Sequence, residues 1–176
     1  MAELHPDNPY AKDRFPDSKA HVEFPPDAKK RFETILTRYP NKEAALLPTL
    51  HLAQEVWGWI SPEAVHYVGS LLDLSPATVF GVVSFYNMYN QKPVGKYHLQ
   101  VCTNLSCMVN QAYDIYDHLC EKLGVHPGQT TSDGQYTVTE VECLGSCGTA
   151  PVVQVNNDYH ENMDVSKMDK LLTELK

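Results

Sequence analysis

Four of the five cysteines lie in two short stretches, Cys102-Thr103-Asn104-Leu105-Ser106-Cys107 and Cys143-Leu144-Gly145-Ser146-Cys147. Four thiolates suit either a tetrahedral zinc ion or an iron–sulfur cluster. Zinc ribbons usually carry Cys-x2-Cys knuckles, and both gaps between paired cysteines are longer than that in this chain. A loop such as the Cys-x4-Cys of plant-type ferredoxins can wrap around the wider core of two irons. The spacing therefore favours a 2Fe-2S cluster over zinc.

The residues around the cysteines support metal ligation more than ordinary buried thiols or disulfides, which are the alternative explanation. Gly145 and Gly148 lie within and just after the second stretch. Glycine allows positive φ and lets amide N–H groups approach sulfur, and such hydrogen bonds tune a cluster. Cys107 falls near the predicted start of a helix, where the partial positive charge favours a thiolate. The sequence has neither the Cys-x2-Cys-x2-Cys run of a four-iron cluster nor a histidine close beside these cysteines, as a Rieske centre would require.

Several further stretches join the cysteines in one recognisable pattern. Together they resemble the thioredoxin-like 2Fe-2S subunit of NADH:quinone oxidoreductase, respiratory complex I, and the likeness covers about residues 27 to 175. The matching stretches outside the first cysteine pair are Leu50-His51-Leu52-Ala53-Gln54-Glu55, Val83-Ser84-Phe85-Tyr86-Asn87-Met88, Lys92-Pro93-Val94-Gly95-Lys96-Tyr97, Asp133-Gly134 and Val141-Glu142-Cys143-Leu144-Gly145-Ser146-Cys147.

The resemblance implies a fold, a cofactor and partners. The fold class would be α+β, with a small N-terminal helical bundle followed by a thioredoxin-like 2Fe-2S ferredoxin domain. Cys102, Cys107, Cys143 and Cys147 would bind one 2Fe-2S cluster per chain, with two thiolates on each iron. The cluster would exchange one electron with FMN on a partner subunit that oxidises NADH, and further peripheral-arm subunits would be partners. The chain has neither a Gly-x-Gly-x-x-Gly motif nor a P-loop, so NADH and FMN are expected on the partner, and this subunit alone is not expected to oxidise NADH.

Other functions stay open at this point. The same motifs would suit the equivalent subunit of an NAD-linked hydrogenase or formate dehydrogenase, or a stand-alone dimeric thioredoxin-like ferredoxin. A thiol–disulfide enzyme would be expected to carry Cys-x2-Cys, which this chain lacks. A zinc-holding interaction module is the remaining alternative, and metal analysis separates it from the others.

Charge excludes some classes of partner. The chain has 176 residues and a formal net charge of -8, which argues against nucleic acid or adhesion to an anionic membrane. No basic residue lies between Lys122 and Lys167. Negative charge near a cluster disfavours an added electron, so we expect a low reduction potential. The acidic residues in that interval are Asp133, Glu140, Glu142, Asp158, Glu161 and Asp164.

The expected location is the bacterial cytoplasm, peripheral to the inner membrane through the assembled complex. The sequence contains no run of 18 apolar residues, and its first residues lack the apolar segment of a secretory signal. Five cysteines, an odd number, suit reduced metal-binding thiols better than a disulfide framework.

Proline, glycine and apolar periodicity divide the chain into four parts. Residues 1–26 are expected to form an extended proline-rich arm, 27–90 the helical bundle, 91–95 a linker and 96–176 the thioredoxin-like domain. In the bundle, a first helix is predicted from Asp27 through Tyr39, Pro48 is expected to kink the second, and Ser61 and Ser75 are expected to cap the next two.

The second domain is predicted in the order β-α-β-β-α. We expect a strand over 96–102 with His98 exposed, and an amphipathic helix over 107–123. Cys120 falls on the apolar face of that helix and is expected to be a buried thiol and not a ligand. Strands over 136–141 and 152–155 would follow, with a short strand near Tyr159 and a final helix capped by Asp164. Both cysteine pairs would then meet at one end of the sheet.

Overall fold

The computed structural model describes residues 22–175. The chain divides into two compact units, one ending at Pro93 and the other beginning at Val94. The first contains α1 (Pro26–Leu36), α2 (Leu46–Trp57), α3 (Pro62–Leu72) and α4 (Pro76–Phe85). The second contains β1 (Tyr97–Cys102), α5 (Leu105–Val109), α6 (Ala112–Leu123), β2 (Tyr136–Val141), β3 (Val153–Val155), β4 (Asp158–His160) and α7 (Val165–Glu174). The predicted mixed α+β class is confirmed.

The predicted caps of α3 and α4 are confirmed. The hydroxyl of Ser61 accepts a hydrogen bond from the N–H of Ala64 at 3.1 Å, and that of Ser75 accepts one from Thr78 at 3.1 Å. Each serine precedes a proline at the first helical position, where a missing N–H costs nothing. Local sequence therefore sets where these helices begin.

Two predictions about the first helices are wrong. The first helix ends at Leu36 and not at Tyr39, whose side chain is 39% exposed. Pro48 does not kink a longer helix, because the chain forms a separate 3₁₀ turn over Glu43–Ala45 before α2 begins at Leu46. Pro48 is then in the first turn of α2, where no intrahelical hydrogen bond is lost.

The core of the helical unit includes a residue that the sequence assigned to the extended arm. Phe24 is 2% exposed and stacks on Trp57 with ring centroids 5.0 Å apart. Its backbone N–H donates to the hydroxyl of Tyr67 at 3.0 Å. Residues 22–25 are neither helix nor strand, and Pro26 already belongs to α1. The rest of the predicted arm, residues 1–21, lies outside the described residues.

The sheet of the second unit has the strand order β2-β1-β3-β4. β1 and β2 are parallel, with Cys102 opposite Val141, whereas β3 is antiparallel to β1 and β4 to β3. The core joins one face of the sheet to α6 and α7 through Leu99, Val101, Val138, Ile115, Leu119 and Met168. Because β1 and β2 are parallel neighbours, their carboxyl ends lie at the same edge of the sheet.

The single helix predicted over 107–123 is wrong, since it is two helices. α5 ends at Val109, and α6 begins at Ala112 after Gln111, which has a φ of 71°. A left-handed residue cannot continue an α-helix, so the chain turns at this point. Cys120 lies on α6 as predicted, partly buried against the core and without a disulfide.

His98 is not exposed, contrary to the expectation. Its Nε2 lies 2.8 Å from the hydroxyl of Thr139 on the neighbouring strand, and burial lowers the pKa of His98 from 6.5 to about 4. Alternation along β1 does place His98 on the face opposite Leu99, but contacts with the adjacent strand cover it.

Within residues 22–175, no single helix is long and apolar enough to cross a membrane. The bent pair of α3 and α4, which meet at 120°, passes the length and composition criteria only when the two are taken together.

Candidate iron–sulfur site

The two cysteine loops begin at one edge of the sheet. Cys102 is the last residue of β1, and Cys143 follows the end of β2 by two residues. The N–H of Thr103 donates to the carbonyl of Val141 at 3.2 Å, which continues the parallel pairing just beyond the strands. The sheet register therefore brings the first cysteine of each pair to the same edge.

A short helix and a 3₁₀ turn hold the second cysteine of each pair. Asn104 caps α5 by accepting a hydrogen bond from the N–H of Leu105 at 2.7 Å, and Cys107 is the third residue of that helix. Cys147 begins the 3₁₀ turn Cys147–Thr149, which contacts α5. All four predicted ligands thus lie in segments at one end of the second unit.

Three of the four sulfurs influence one another. Cys102 and Cys107 are 4% and 3% exposed. Burial raises the pKa of Cys107 to about 11, and a hydrogen bond to Cys102 and charge interactions with Cys102 and Cys147 act in the same direction. The backbone N–H of Val152 acts in the opposite direction.

Cys143 stands apart from this group. Its side chain is exposed, and its sulfur accepts a hydrogen bond from the N–H of Gly145 at 3.3 Å. Gly145 has a φ of 76°, in the left-handed region that glycine adopts most readily. This contact fits the expectation that glycine in the second loop lets an amide reach a cysteine sulfur.

The residues present fit a thiolate-bound cluster in donor type and placement. All five cysteines are free thiols, and four of them lie in the two loops at the sheet edge. Among residues 22–175, however, no group of three or more His, Cys, Asp or Glu side chains converges on a single metal position. The assignment of all four cysteines as ligands therefore stays a prediction.

Two carboxylates contact the cysteine loops, and the sequence did not predict these contacts. Glu140 accepts hydrogen bonds from the hydroxyls of Thr103, at 2.6 Å, and Tyr113, at 3.0 Å. Glu161 accepts one from Thr149 at 2.8 Å and another from Ser146. Hydrogen bonds from Ser146 and Thr149 lower the pKa of Glu161. The only sequence signal was the acidic interval between Lys122 and Lys167, which says nothing about which carboxylate touches which loop.

Comparison with known proteins gives a consistent result. The family model described as thioredoxin-like [2Fe-2S] ferredoxin matches residues 32–176. NADH-quinone oxidoreductase subunit 2 of Thermus thermophilus is 44% identical over 154 residues, covering 85% of each chain. The corresponding NADH-quinone oxidoreductase subunit of Rickettsia typhi is 43% identical over 143 residues, covering 80% of this chain and 84% of that one.

A solved structure shares the fold at lower sequence identity. A chain of an air-oxidised NAD+-reducing [NiFe]-hydrogenase superposes with a TM-score of 0.65 at 24% identity, over 74% of this chain and 22% of the hydrogenase chain. At that identity the likeness supports the fold alone. Together with the family match and the relatives above, it confirms the resemblance inferred from the motifs. The chain therefore belongs to the thioredoxin-like [2Fe-2S] ferredoxin family and, within it, to the group found as subunits of NADH-quinone oxidoreductase.

Proposed function

We propose that this chain carries a 2Fe-2S cluster on Cys102, Cys107, Cys143 and Cys147 and exchanges one electron with FMN on a partner subunit. The observation that supports this most directly is the parallel register of β1 and β2, with Cys102 opposite Val141. That register starts both cysteine loops at one sheet edge. The family and its relatives are electron-transfer subunits, and such a subunit is not catalytic alone.

The protein contributes ligands, shielding and local charge. A bound 2Fe-2S cluster supplies a site for one electron. Cys102 and Cys107 would hold it from the buried side of the site, and Cys143 and Cys147 from the exposed side. The N–H groups of Gly145 and Val152, which already contact cysteine sulfurs, would stabilise thiolate charge. No side chain has to donate or accept a proton for this function.

An apolar surface on the helical unit supports the expectation of partner subunits. Phe85, at the end of α4, is 79% exposed, and Met88 is also exposed. No charged residue lies between Asp73 and Lys92. Protein surfaces of this composition are commonly covered in assemblies.

The partners would be the FMN- and NADH-binding subunit and further peripheral-arm subunits of NADH:quinone oxidoreductase. The chain would then lie on the cytoplasmic side of the inner membrane, attached through the complex. The relatives at 43% to 44% identity favour this parent complex over a hydrogenase, whose likeness rests on fold alone.

The cofactor is tested by anaerobic purification of the whole chain, followed by iron, sulfide and zinc analysis and EPR after dithionite reduction. We expect about two irons and two sulfides per chain, with an S = 1/2 signal that disappears on reoxidation. Serine at any one of the four positions should reduce the iron content or alter the EPR spectrum. Cys120→Ser is the matched control and should leave both unchanged. One zinc and no iron in protein from iron-replete cells would contradict the proposal.

The parent complex is tested separately by affinity purification of the tagged chain from its native cells. Recovery with NADH:quinone oxidoreductase activity is expected. Recovery with NAD-linked hydrogenase or formate dehydrogenase activity instead would assign the chain to the alternative complex.

A further inference from the structure

Glu140 connects three elements around the first cysteine loop. It lies near the end of β2, and Thr103 follows Cys102 directly, while Tyr113 is on α6. Its Oε1 accepts from both hydroxyls, at 2.6 and 3.0 Å. Thr103 is buried, so its hydroxyl has little access to water as an alternative partner. The carboxylate thus fastens the start of the loop to the sheet and to the helix behind it.

Glu161 makes the same kind of contact with the second loop. It follows β4, and its Oε1 accepts from Thr149 at 2.8 Å and from Ser146. The two hydroxyls are themselves 2.7 Å apart, so three side chains form a closed group. Ser146 directly precedes Cys147, and Thr149 ends the 3₁₀ turn that Cys147 begins.

The shared feature is one carboxylate oxygen that accepts two hydroxyl hydrogen bonds beside a cysteine. Hydrogen bonds to a charged acceptor are stronger than those between neutral groups. Among residues 22–175, the salt bridges to Lys, Arg and His involve neither Glu140 nor Glu161. Neither carboxylate is therefore neutralised by a described cation, and both keep a negative charge next to the loops.

We propose that Glu140 and Glu161 are positioning residues, each of which holds one cysteine loop in place for the cluster and adds a fixed negative charge near it. This inference rests on the proposed function. Partners that orient metal ligands from behind typically change metal affinity or activity by 10- to 100-fold when they are removed. The charges would also oppose reduction of the cluster and lower its potential.

Alanine and glutamine variants separate the two roles. Glu140→Ala and Glu161→Ala remove both hydrogen bonds and the charge, so we expect cluster absorbance to decay roughly tenfold faster in the presence of a chelator. Glutamine keeps an amide oxygen that can accept both hydroxyl hydrogen bonds. Glu140→Gln and Glu161→Gln should therefore keep the wild-type lifetime and still raise the midpoint potential, measured by EPR-monitored redox titration.

Glu142→Gln is the matched control. Glu142 is exposed and adjacent to Cys143, but it makes none of the hydroxyl contacts of Glu140 and Glu161. Its variant should keep the wild-type cluster lifetime. Should the alanine variants fail to fold, Thr103→Val and Thr149→Val remove one hydrogen bond each at nearly constant volume and should shorten the lifetime in the same direction.

Amide hydrogen exchange on the cluster-free chain tests the positioning role independently of the cofactor. Glu140→Ala should speed exchange over residues 103–111, and Glu161→Ala over 143–150, each without changing the other loop. Unchanged exchange in both variants, or glutamine variants that lose the cluster as fast as alanine variants, would overturn the inference. A wild-type chain without iron would instead contradict the proposed function, and the exchange result would still decide this one.

Discussion

At the scale of single residues, His98 shows what an alternating pattern leaves undetermined. The pattern places His98 on the opposite face of β1 from Leu99, and the structure agrees. It does not specify how that face is covered, because cover comes from Thr139 on the neighbouring strand. An alternating polar residue in a strand can therefore be half-buried, and its ionisation then contributes to stability.

The burial of His98 predicts a loss of stability in acid. Its pKa is lowered from 6.5 to about 4 in the folded chain, so between these pH values the unfolded chain binds more protons than the folded one. Stability should therefore fall as pH drops from about 6.5 to 4, by at most on the order of 3 kcal/mol from this residue. His98→Gln should flatten that fall when the free energy of unfolding of the cluster-free chain is measured against pH.

The neighbour of His98 supplies the control. Burial is the cause of the lowered pKa, and the hydrogen bond to Thr139 is not. Thr139→Val should therefore leave the pH dependence in place. A His98→Gln chain with the same acid dependence as wild type would contradict the assignment.

At the scale of helices and strands, local signals explain most starts and ends. Ser61, Ser75 and Asp164 cap the helices that follow them, as predicted, because each side chain accepts a backbone N–H in the first turn. The break at Gln111 was not predictable, because its apolar neighbours continue the helical period and glutamine carries no turn signal. Packing of α5 against the 3₁₀ turn, a contact far apart in sequence, accompanies that break.

Two glycines in neighbouring helices should respond oppositely to the same substitution. A Cβ at Gly69 in α3 would lie 2.8 Å from the backbone carbonyl oxygen of Leu74, where the chain reverses toward α4. Gly81 in α4 has nothing within 4 Å of the corresponding position. We expect Gly69→Ala to destabilise the chain by about 1 to 3 kcal/mol and Gly81→Ala to stabilise it by up to about 1 kcal/mol.

Thermal unfolding of the two alanine variants measures this difference. The propensity gain of alanine is common to both positions, so the contrast isolates the steric contact with Leu74. Equal shifts of the two melting temperatures in the same direction would show that the close approach at Gly69 has no energetic consequence.

At the scale of the whole molecule, the two units have separate cores. One core joins α1 to α4 with Phe24, and the other joins the sheet to α6 and α7. All four predicted ligands belong to the second unit. Because metal binding stabilises the structure that supplies the ligands, removing the cluster should weaken the second unit selectively.

Hydrogen exchange before and after chelation tests that selectivity. We expect faster exchange over residues 97–175 and unchanged exchange over residues 24–89. Comparable loss of protection in both units would show that the cluster stabilises the chain as one cooperative body, contrary to this expectation.

The sequence by itself determined the type of ligand, the class of fold and the main helix starts, because thiolate spacing, apolar period and capping residues act over a few neighbouring positions. Only the tertiary structure decided that Phe24 belongs to a core, that Gln111 interrupts a helix and that Glu140 and Glu161 hold the cysteine loops. Those contacts join residues separated by many positions, such as Thr103 and Glu140. Their pairing follows from sheet register and helix packing, which no local pattern specifies.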